Sequence, residues 1–338
     1  MKTLILKPSS LGDVIQALPV LRLLKRHQPG NQVYWWIDSE LAPLLEGDPD
    51  LAGLVLFERR RWTSPRRWPE VWRSVRWMRD QHFDLVLDLQ CLARSGAFAW
   101  LANGKLLVGL DDAREGARGF YDLVVRRESP LTHAVDWYLG TLRALGIPTS
   151  GRFTWLPVRA AAAEEIRRRD AHNHRWIVLQ PGARWMNKRW PVEHFSELVR
   201  RLAQSHPGHR LAILGGKSDA ELGAAITSAA PRACLDLTGK LSLPEMIEWI
   251  RLARLMISND TGPMHVAAAV GTPLVALFGP TEPCRTGPYG QLRESIQVAL
   301  PCVPCMKSQC TYVRPLECLR AITPEMVHAR AAAALKDR

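Results

Sequence analysis

Asp260, Thr261, Gly262 and His265 fall within the six residues 260–265 of the stretch Ser258-Asn259-Asp260-Thr261-Gly262-Pro263-Met264-His265. A carboxylate, a hydroxyl, a backbone that other groups can approach closely and an imidazole are thus gathered in about one helical turn. Proline suits the first helical position, where its missing N–H costs nothing, and the unpaired amides of such a turn favour an anion. A diphosphate fits that description. The plainer reading is an Asp N-cap followed by a Thr-Gly-Pro turn; the imidazole and hydroxyl are more than a cap needs.

Two other stretches carry chemistry of the same sign. Gln180-Pro181-Gly182-Ala183-Arg184-Trp185-Met186-Asn187-Lys188-Arg189-Trp190-Pro191 is a glycine turn and then a loop with three cations, Arg184, Lys188 and Arg189, which suits a phosphate. Gly215-Gly216-Lys217-Ser218-Asp219-Ala220-Glu221 sets two glycines ahead of two carboxylates, a weak signal for a ribose or base edge, with the contact open between Asp219 and Glu221. Near the N-terminus, Lys7-Pro8-Ser9-Ser10-Leu11-Gly12-Asp13 is a loop in which Gly12 permits a tight turn. Asp13 stands where a carboxylate either caps a helix or points into a cleft.

The elements that must position these groups alternate. Lys2–Leu6 reads as a strand, 14–27 as a helix whose Val14, Leu18, Leu21 and Leu24 share one face, and 33–37, 54–57 and 83–88 as further strands with helices between. The alternation restarts beyond the polar segment Thr149-Ser150-Gly151-Arg152, with strands at 176–179, 211–214, 255–257 and 274–278. In the last of these, 255–280 forms one βαβ unit around the Asp260 turn, its helix ending at Gly271. Strands alternating with helices predict α/β architecture with doubly wound parallel sheets, and the restart predicts two Rossmann-like halves joined near residue 155. Each loop named above then lies at the carboxyl end of a strand, where such sheets bind ligands.

Two stretches stand apart. Between Glu58 and Arg79, eight arginines (Arg59, Arg60, Arg61, Arg66, Arg67, Arg73, Arg76 and Arg79) are interleaved with Trp62, Trp68, Trp72 and Trp77. Guanidinium forks bind phosphate and carboxylate, and tryptophan suits a lipid boundary or a sugar face, so the pairing fits an anionic amphiphile. It also fits a solvated basic helix packed through Val71, Val75 and Met78. In the tail, Cys302, Cys305, Cys310 and Cys318 have a spacing compatible with a tetrahedral structural metal, with buried free thiols or a disulfide formed on isolation as the other readings.

The 338 residues are enough for two domains, and the formal net charge of +12 implies an anionic partner: phosphate, nucleic acid or an acidic membrane surface. No run approaches the roughly 20 apolar residues of a membrane span, and Lys7 interrupts what could be a leader's apolar core, so a cytoplasmic chain is expected. Seven cysteines, unevenly spread, argue against a secreted disulfide scaffold. A nucleic-acid-binding protein accounts for the charge but not for Asp13 or the 260–265 cluster. A nucleotide-dependent epimerase or dehydrogenase accounts for the Rossmann halves, yet no G-x-G-x-x-G follows the first strand.

Taken together, LKPSSLGDVIQALPVLRLL, QPGARWMNKRWPVEHFSELV, ILGGKSDAEL and SNDTGPMHVAAAVGTPLVALFGPTEPCRTGPYG closely resemble the bacterial lipopolysaccharide heptosyltransferases, glycosyltransferase family 9, over nearly the whole chain. The resemblance implies a GT-B fold: an acceptor-binding Rossmann-like domain over 1–155, a nucleotide-sugar domain over 156–322 facing it across a cleft, and a last helix within 323–338 crossing back to the first. It implies an inverting transfer of heptose from ADP-heptose, with Asp13 as base. Donor contacts would come from Lys188, Arg184, Asp260, Thr261, Gly262, His265 and Glu221, and acceptor contacts from Ser10, Gly12, Arg59, Arg60, Arg61 and Arg114. Arg184 stands where the family often has a hydroxyl residue. The motifs Ser9-Ser10-Leu11-Gly12-Asp13, Arg114-Glu115-Gly116-Ala117 and His133-Ala134-Val135-Asp136 look most like the enzymes that add the first heptose to Kdo-lipid A. No metal is required for chemistry of this kind, no nucleic acid is implicated, and the acceptor would be met at the inner face of the inner membrane.

Overall fold

The computed structural model describes residues 1–58, 61–62, 64–111, 114–170 and 174–336. The chain divides into two compact units, Met1–Pro157 and Val158–Arg338. In the first, β1 (Lys2–Leu6), α1 (Leu11–His27), β2 (Gln32–Asp38), β3 (Gly53–Phe57), α2 (Trp68–Asp80), β4 (Leu85–Asp88), α3 (Ala93–Leu101), β5 (Leu106–Leu110), β6 (Leu123–Val125) and α4 (Ala134–Ala144) follow in order. The second unit runs through α5 (Ala160–Arg169), β7 (Arg175–Gln180), α6 (Val192–Ser205), β8 (His209–Ile213), α7 (Ala220–Thr227), β9 (Cys234–Asp236), α8 (Leu243–Leu252) and β10 (Leu255–Asn259). It closes with α9 (Gly262–Val270), β11 (Leu274–Phe278), α10 (Pro283–Thr286), β12 (Ser295–Gln297), α11 (Glu317–Arg320) and α12 (Pro324–Lys336).

Both sheets are parallel and six-stranded, ordered β3-β2-β1-β4-β5-β6 and β12-β11-β10-β7-β8-β9. Counted within each unit, these are the same doubly wound order, in which chain direction across the sheet reverses once: at β1/β4 in the first unit and at β7/β10 in the second. The central strands are apolar on both faces because helices cover both; Leu4, Ile5 and Leu6 of β1 and Leu255, Met256 and Ile257 of β10 are wholly buried.

Each unit has its own core. Trp36, Phe57, Phe83 and Phe98 interlock in the first, with Trp36 and Phe57 ring centroids 4.4 Å apart. Trp190, Phe195, Leu198 and Leu202 of the α6 segment pack on Ile177 and Leu179 in the second. Val327 and Ala331 of α12 also lie in that second core, and Glu325 pairs with Arg201 of α6. The last helix therefore belongs to the second compact unit. No helix among the described residues is long and apolar enough to cross a membrane.

Candidate functional site

In the second unit, the two loops that leave the switch-point strands meet. Lys188, on the loop after β7, places Nζ 2.6 Å from Oδ2 of Asp260, the residue after β10. Thr281, after β11, donates its hydroxyl to the same oxygen at 2.5 Å. Asp260 is 5 % exposed and Lys188 19 %, so the carboxylate is held inside while the ammonium keeps a path to solvent. The ammonium also lies 4.8 Å from the ring centroid of Trp185, in cation–π range.

Neighbouring side chains hold these loops in register. Asn259 donates from Nδ2 to the Pro181 carbonyl at 2.7 Å and accepts from the Trp190 amide at 3.2 Å, tying the β10 end to the β7 loop on both sides. Thr261 is the N-cap of α9 but makes no side-chain cap bond, so its hydroxyl is not consumed by the helix it opens. Gly262 and Pro263 form the first turn, as the sequence predicts, and His265 is buried one turn in. Gly271 ends the helix in the left-handed region at φ 77°.

The two carboxylates left open for a ribose contact are distinguished by their surroundings. Asp219 is buried; its Oδ2 accepts the Gly216 amide at 3.0 Å, and its Oδ1 lies 3.3 Å from Arg189 Nη2. A Cβ on Gly182 would stand 2.4 Å from that Oδ2, so the glycine turn after β7 leaves room for the Asp219 carboxylate. Glu221, in the first turn of α7, is exposed. Arg184 is exposed as well, whereas Arg189, another cation of its loop, is occupied by the Ala183 carbonyl at 2.8 Å and by Asp219.

In the first unit, Asp13 is the third residue of α1 and accepts from Ser10, amide at 2.9 Å and hydroxyl at 2.8 Å, both on Oδ2. Asp13 thus caps the start of α1 through Oδ2, and its carboxylate is half-buried at the end of β1. Gly12 is buried beneath it. Lys7, the first residue beyond β1, is 4 % exposed, donates to the Leu89 carbonyl at 2.8 Å and sits 4.8 Å from the Tyr138 ring centroid. Burial alone would lower its pKa, but Tyr138 and Asp13 together raise it, so the ammonium stays charged behind Asp13.

Across the switch point, Asp88 ends β4 with its carboxylate fully buried. It accepts from the Gln90 and Cys91 amides at 2.9 and 3.1 Å and from the hydroxyls of Ser95 and Tyr121, each at 2.8 Å. Burial raises its pKa, against the four hydrogen bonds that lower it.

Of the remaining acceptor candidates, Arg61 is exposed and 3.9 Å from Glu70, while Arg59 and Arg60 lie outside the described residues. Arg114 opens a 3-10 segment, Arg114–Phe120, whose Glu115 accepts the Ala93 amide at 3.1 Å and so fastens it to the start of α3 at the carboxyl edge.

Of the three readings open for the tail cysteines, the structure gives free thiols: among the described residues no three His, Cys, Asp or Glu side chains are arranged to hold an ion. All seven cysteines are free. Cys318 is packed in the second core, its thiol pushed up to about 11 by burial and by Cys310, Cys302 and Cys305, while Cys310 accepts the Leu316 amide at 3.4 Å.

Thr281, Lys7, Trp185 and Asp88 were not singled out in the sequence. Thr281 had a usable signal: it follows Gly279-Pro280 at the end of β11, the strand beside β10, so one βα repeat brings it back to Asp260.

Two doubly wound parallel units, each with charged side chains at its switch point, define a Rossmann-type protein of the nucleotide-handling kind. Residues 71–314 match the family model "Glycosyltransferase family 9 (heptosyltransferase)". The chain is 33% identical over 334 residues to lipopolysaccharide heptosyltransferase 1 of Pseudomonas aeruginosa, covering 92% of this chain and 88% of the relative. It is 28% identical over 308 residues to lipopolysaccharide heptosyltransferase 1 of Escherichia coli K12, covering 86% and 92%. Among solved structures, E. coli heptosyltransferase WaaC with ADP is similar at a TM-score of 0.80 and 25% identity, covering 99% of this chain and 100% of that one. The chain belongs to glycosyltransferase family 9. It is an enzyme of the GT-B fold class, and both the fold and the family expected from the sequence stand.

Proposed function

We propose that the enzyme transfers L-glycero-D-manno-heptose from its ADP derivative to a Kdo sugar of Kdo-lipid A, building the lipopolysaccharide inner core at the cytoplasmic face of the inner membrane. Asp13 takes the proton of the acceptor hydroxyl as that oxygen bonds to the anomeric carbon. The bond from that carbon to the diphosphate breaks on the opposite side, its electron pair leaves with ADP, and the centre inverts. Lys188, the Thr261 hydroxyl and the amides opening α9 offset the charge that gathers on the leaving diphosphate. Asp260, itself held by the Thr281 hydroxyl, holds Lys188; His265, Gly262, Arg184 and Glu221 complete the donor side, Glu221 at the ribose. Ser10, Gly12, Arg59, Arg60, Arg61 and Arg114 serve the acceptor.

The observation that carries this reading is the Lys188–Asp260 pair at the β7/β10 switch point, in a chain 33% identical to a lipopolysaccharide heptosyltransferase 1. It is tested by incubating the purified enzyme with Kdo-lipid A and either ADP-heptose or UDP-hexoses. ADP release with a singly heptosylated product is expected; release of UDP overturns the donor assignment. A second reading, addition at a later heptose, is favoured by the 27% identity to lipopolysaccharide heptosyltransferase 2 of Salmonella typhimurium over 88% of this chain. Turnover of an already heptosylated core in preference to Kdo-lipid A would establish it.

A further inference from the structure

Beyond Arg59, Arg60 and Arg61, the arginine and tryptophan stretch has no part in the chemistry above. α2 is fastened to the first core by Val75 and Met78, both buried. The flank beside that buried stripe is open. Trp68 is 59 % and Trp72 64 % exposed, and with Arg79 they share one flank of the helix, while Arg73 and Arg76 point outward beside them. Arg66, Arg76 and Arg79 have no carboxylate partner among the described residues; the nearby Glu70 is engaged by Arg67 at 2.5 Å. Trp68 and Trp72 also line a recess of about 360 Å³ with Phe57, Trp62 and Phe98, so the apolar surface continues inward from the helix.

Two large exposed indole rings among arginines, three of them without a carboxylate partner among the described residues, form a contiguous apolar and cationic patch of the kind that marks an interaction site. We propose that residues 64–80 dock the enzyme on anionic phospholipid bilayers, with Trp68 and Trp72 at headgroup depth and Arg66, Arg73, Arg76 and Arg79 on lipid phosphates. Charge decides the occupant. A second copy would bring the same cations to the same face, whereas an anionic leaflet complements both the patch and the net charge of +12. Indole rings with an apolar body and one N–H donor favour the headgroup level, and guanidinium forks match phosphate oxygens. The recess is lined by the end of β3 and by α3, at the same carboxyl edge of the first sheet as Asp13. Docking there brings the acceptor-side loops to the lipid surface, which deepens the reading above and rests on it for its purpose, though not for its measurement.

The test is co-sedimentation of the full-length enzyme with large vesicles of phosphatidylcholine alone or mixed with phosphatidylglycerol, without acceptor. Binding to the anionic vesicles only, weakening as salt rises, is expected. Each arginine removed should lower partitioning about fivefold, so Arg73→Gln/Arg76→Gln/Arg79→Gln should lose more than a hundredfold. Trp68→Ser/Trp72→Ser should weaken binding and abolish the blue shift of tryptophan emission on vesicle addition. All variants should transfer heptose to a soluble, deacylated acceptor at rates within twofold of wild type. Equal binding of wild type to neutral and anionic vesicles, no binding to either, or wild-type binding by the triple variant overturns the proposal. So does binding to duplex DNA as tight as to anionic vesicles with no effect of the tryptophan changes, which marks a general polyanion site. Absence of transfer by wild type with every acceptor overturns the proposed activity and leaves the vesicle result standing.

Discussion

Lys188→Ala separates a phosphate-handling cation from a merely structural one. In the free enzyme the ammonium is shared with Asp260 at 2.6 Å, so the pair is near neutral and the lysine offers a diphosphate only its remaining N–H groups. Charge-assisted hydrogen bonds of this kind contribute about 1.5–3 kcal/mol each, so loss of one from the leaving group should lower kcat/KM for the donor by roughly 10- to 150-fold. The same change leaves Asp260, 5 % exposed, without the ammonium and still accepting from the Thr281 hydroxyl. Breaking a fully buried pair costs about 3–5 kcal/mol, and the 19 % exposure of Lys188 places this one lower, at about 1–3 kcal/mol. For a unit of this size the melting midpoint should fall by about 2–4 °C per kcal/mol. Thr281→Val removes the other donor to Asp260 and no cation; it should lower the midpoint with less than a fivefold kinetic effect. Initial rates of ADP release at varied donor, calorimetric titration with ADP, and thermal melts of both variants give the comparison. If Lys188→Ala melts early yet binds ADP and turns over donor as wild type does, the lysine braces the loop only, and its role at the diphosphate is refuted.

Asp13→Asn keeps a group that can cap α1 but cannot take a proton; transfer should fall by about 10²- to 10⁴-fold with ADP affinity within twofold, as measured by product formation and ADP titration. Gly182→Ala brings a Cβ to 2.4 Å from Asp219 Oδ2 and should destabilise by about 1–3 kcal/mol, read as a lower melting midpoint, with weaker ADP binding as the 183–188 loop shifts. Asp170 is desolvated, but the Trp176 indole at 2.7 Å and the His174 amide and ring hold its pKa below the ordinary carboxylate value. A lowered folded-state pKa contributes stability that is present above the unfolded value, near 3.9, and is lost as pH falls through the folded one. Melting curves of wild type and Asp170→Asn should therefore differ most above about pH 5 and converge below pH 4; a constant gap would assign the effect to packing.

What the sequence disclosed and what it withheld divide along one physical line. Contacts within a turn were legible: Gly12 beneath Asp13, Pro263 at the start of α9 and Gly271 at its end each follow from local backbone rules, and the apolar alternation located both sheets. Asp13 was open between cap and cleft; its Oδ2 accepts the Ser10 amide and hydroxyl, so the local cap is the use that the backbone rules anticipate. Contacts between strands were not legible, because pairing order and not spacing decides them. Lys188 and Asp260 lie 72 residues apart and meet because β7 and β10 are neighbours; Thr281 joins them because β11 is next in line. Lys7 meets the Leu89 carbonyl across 82 residues for the same reason at β1/β4. Once the strand order is known, each unit has a single place where loops diverge to opposite sides, and there an ion pair or a buried charge can be set without crossing a helix. The tail cysteines lack that constraint: they follow the last strand and no pairing order fixes where their thiols go, so spacing alone left a metal, a disulfide and free thiols open, and the thiols are free.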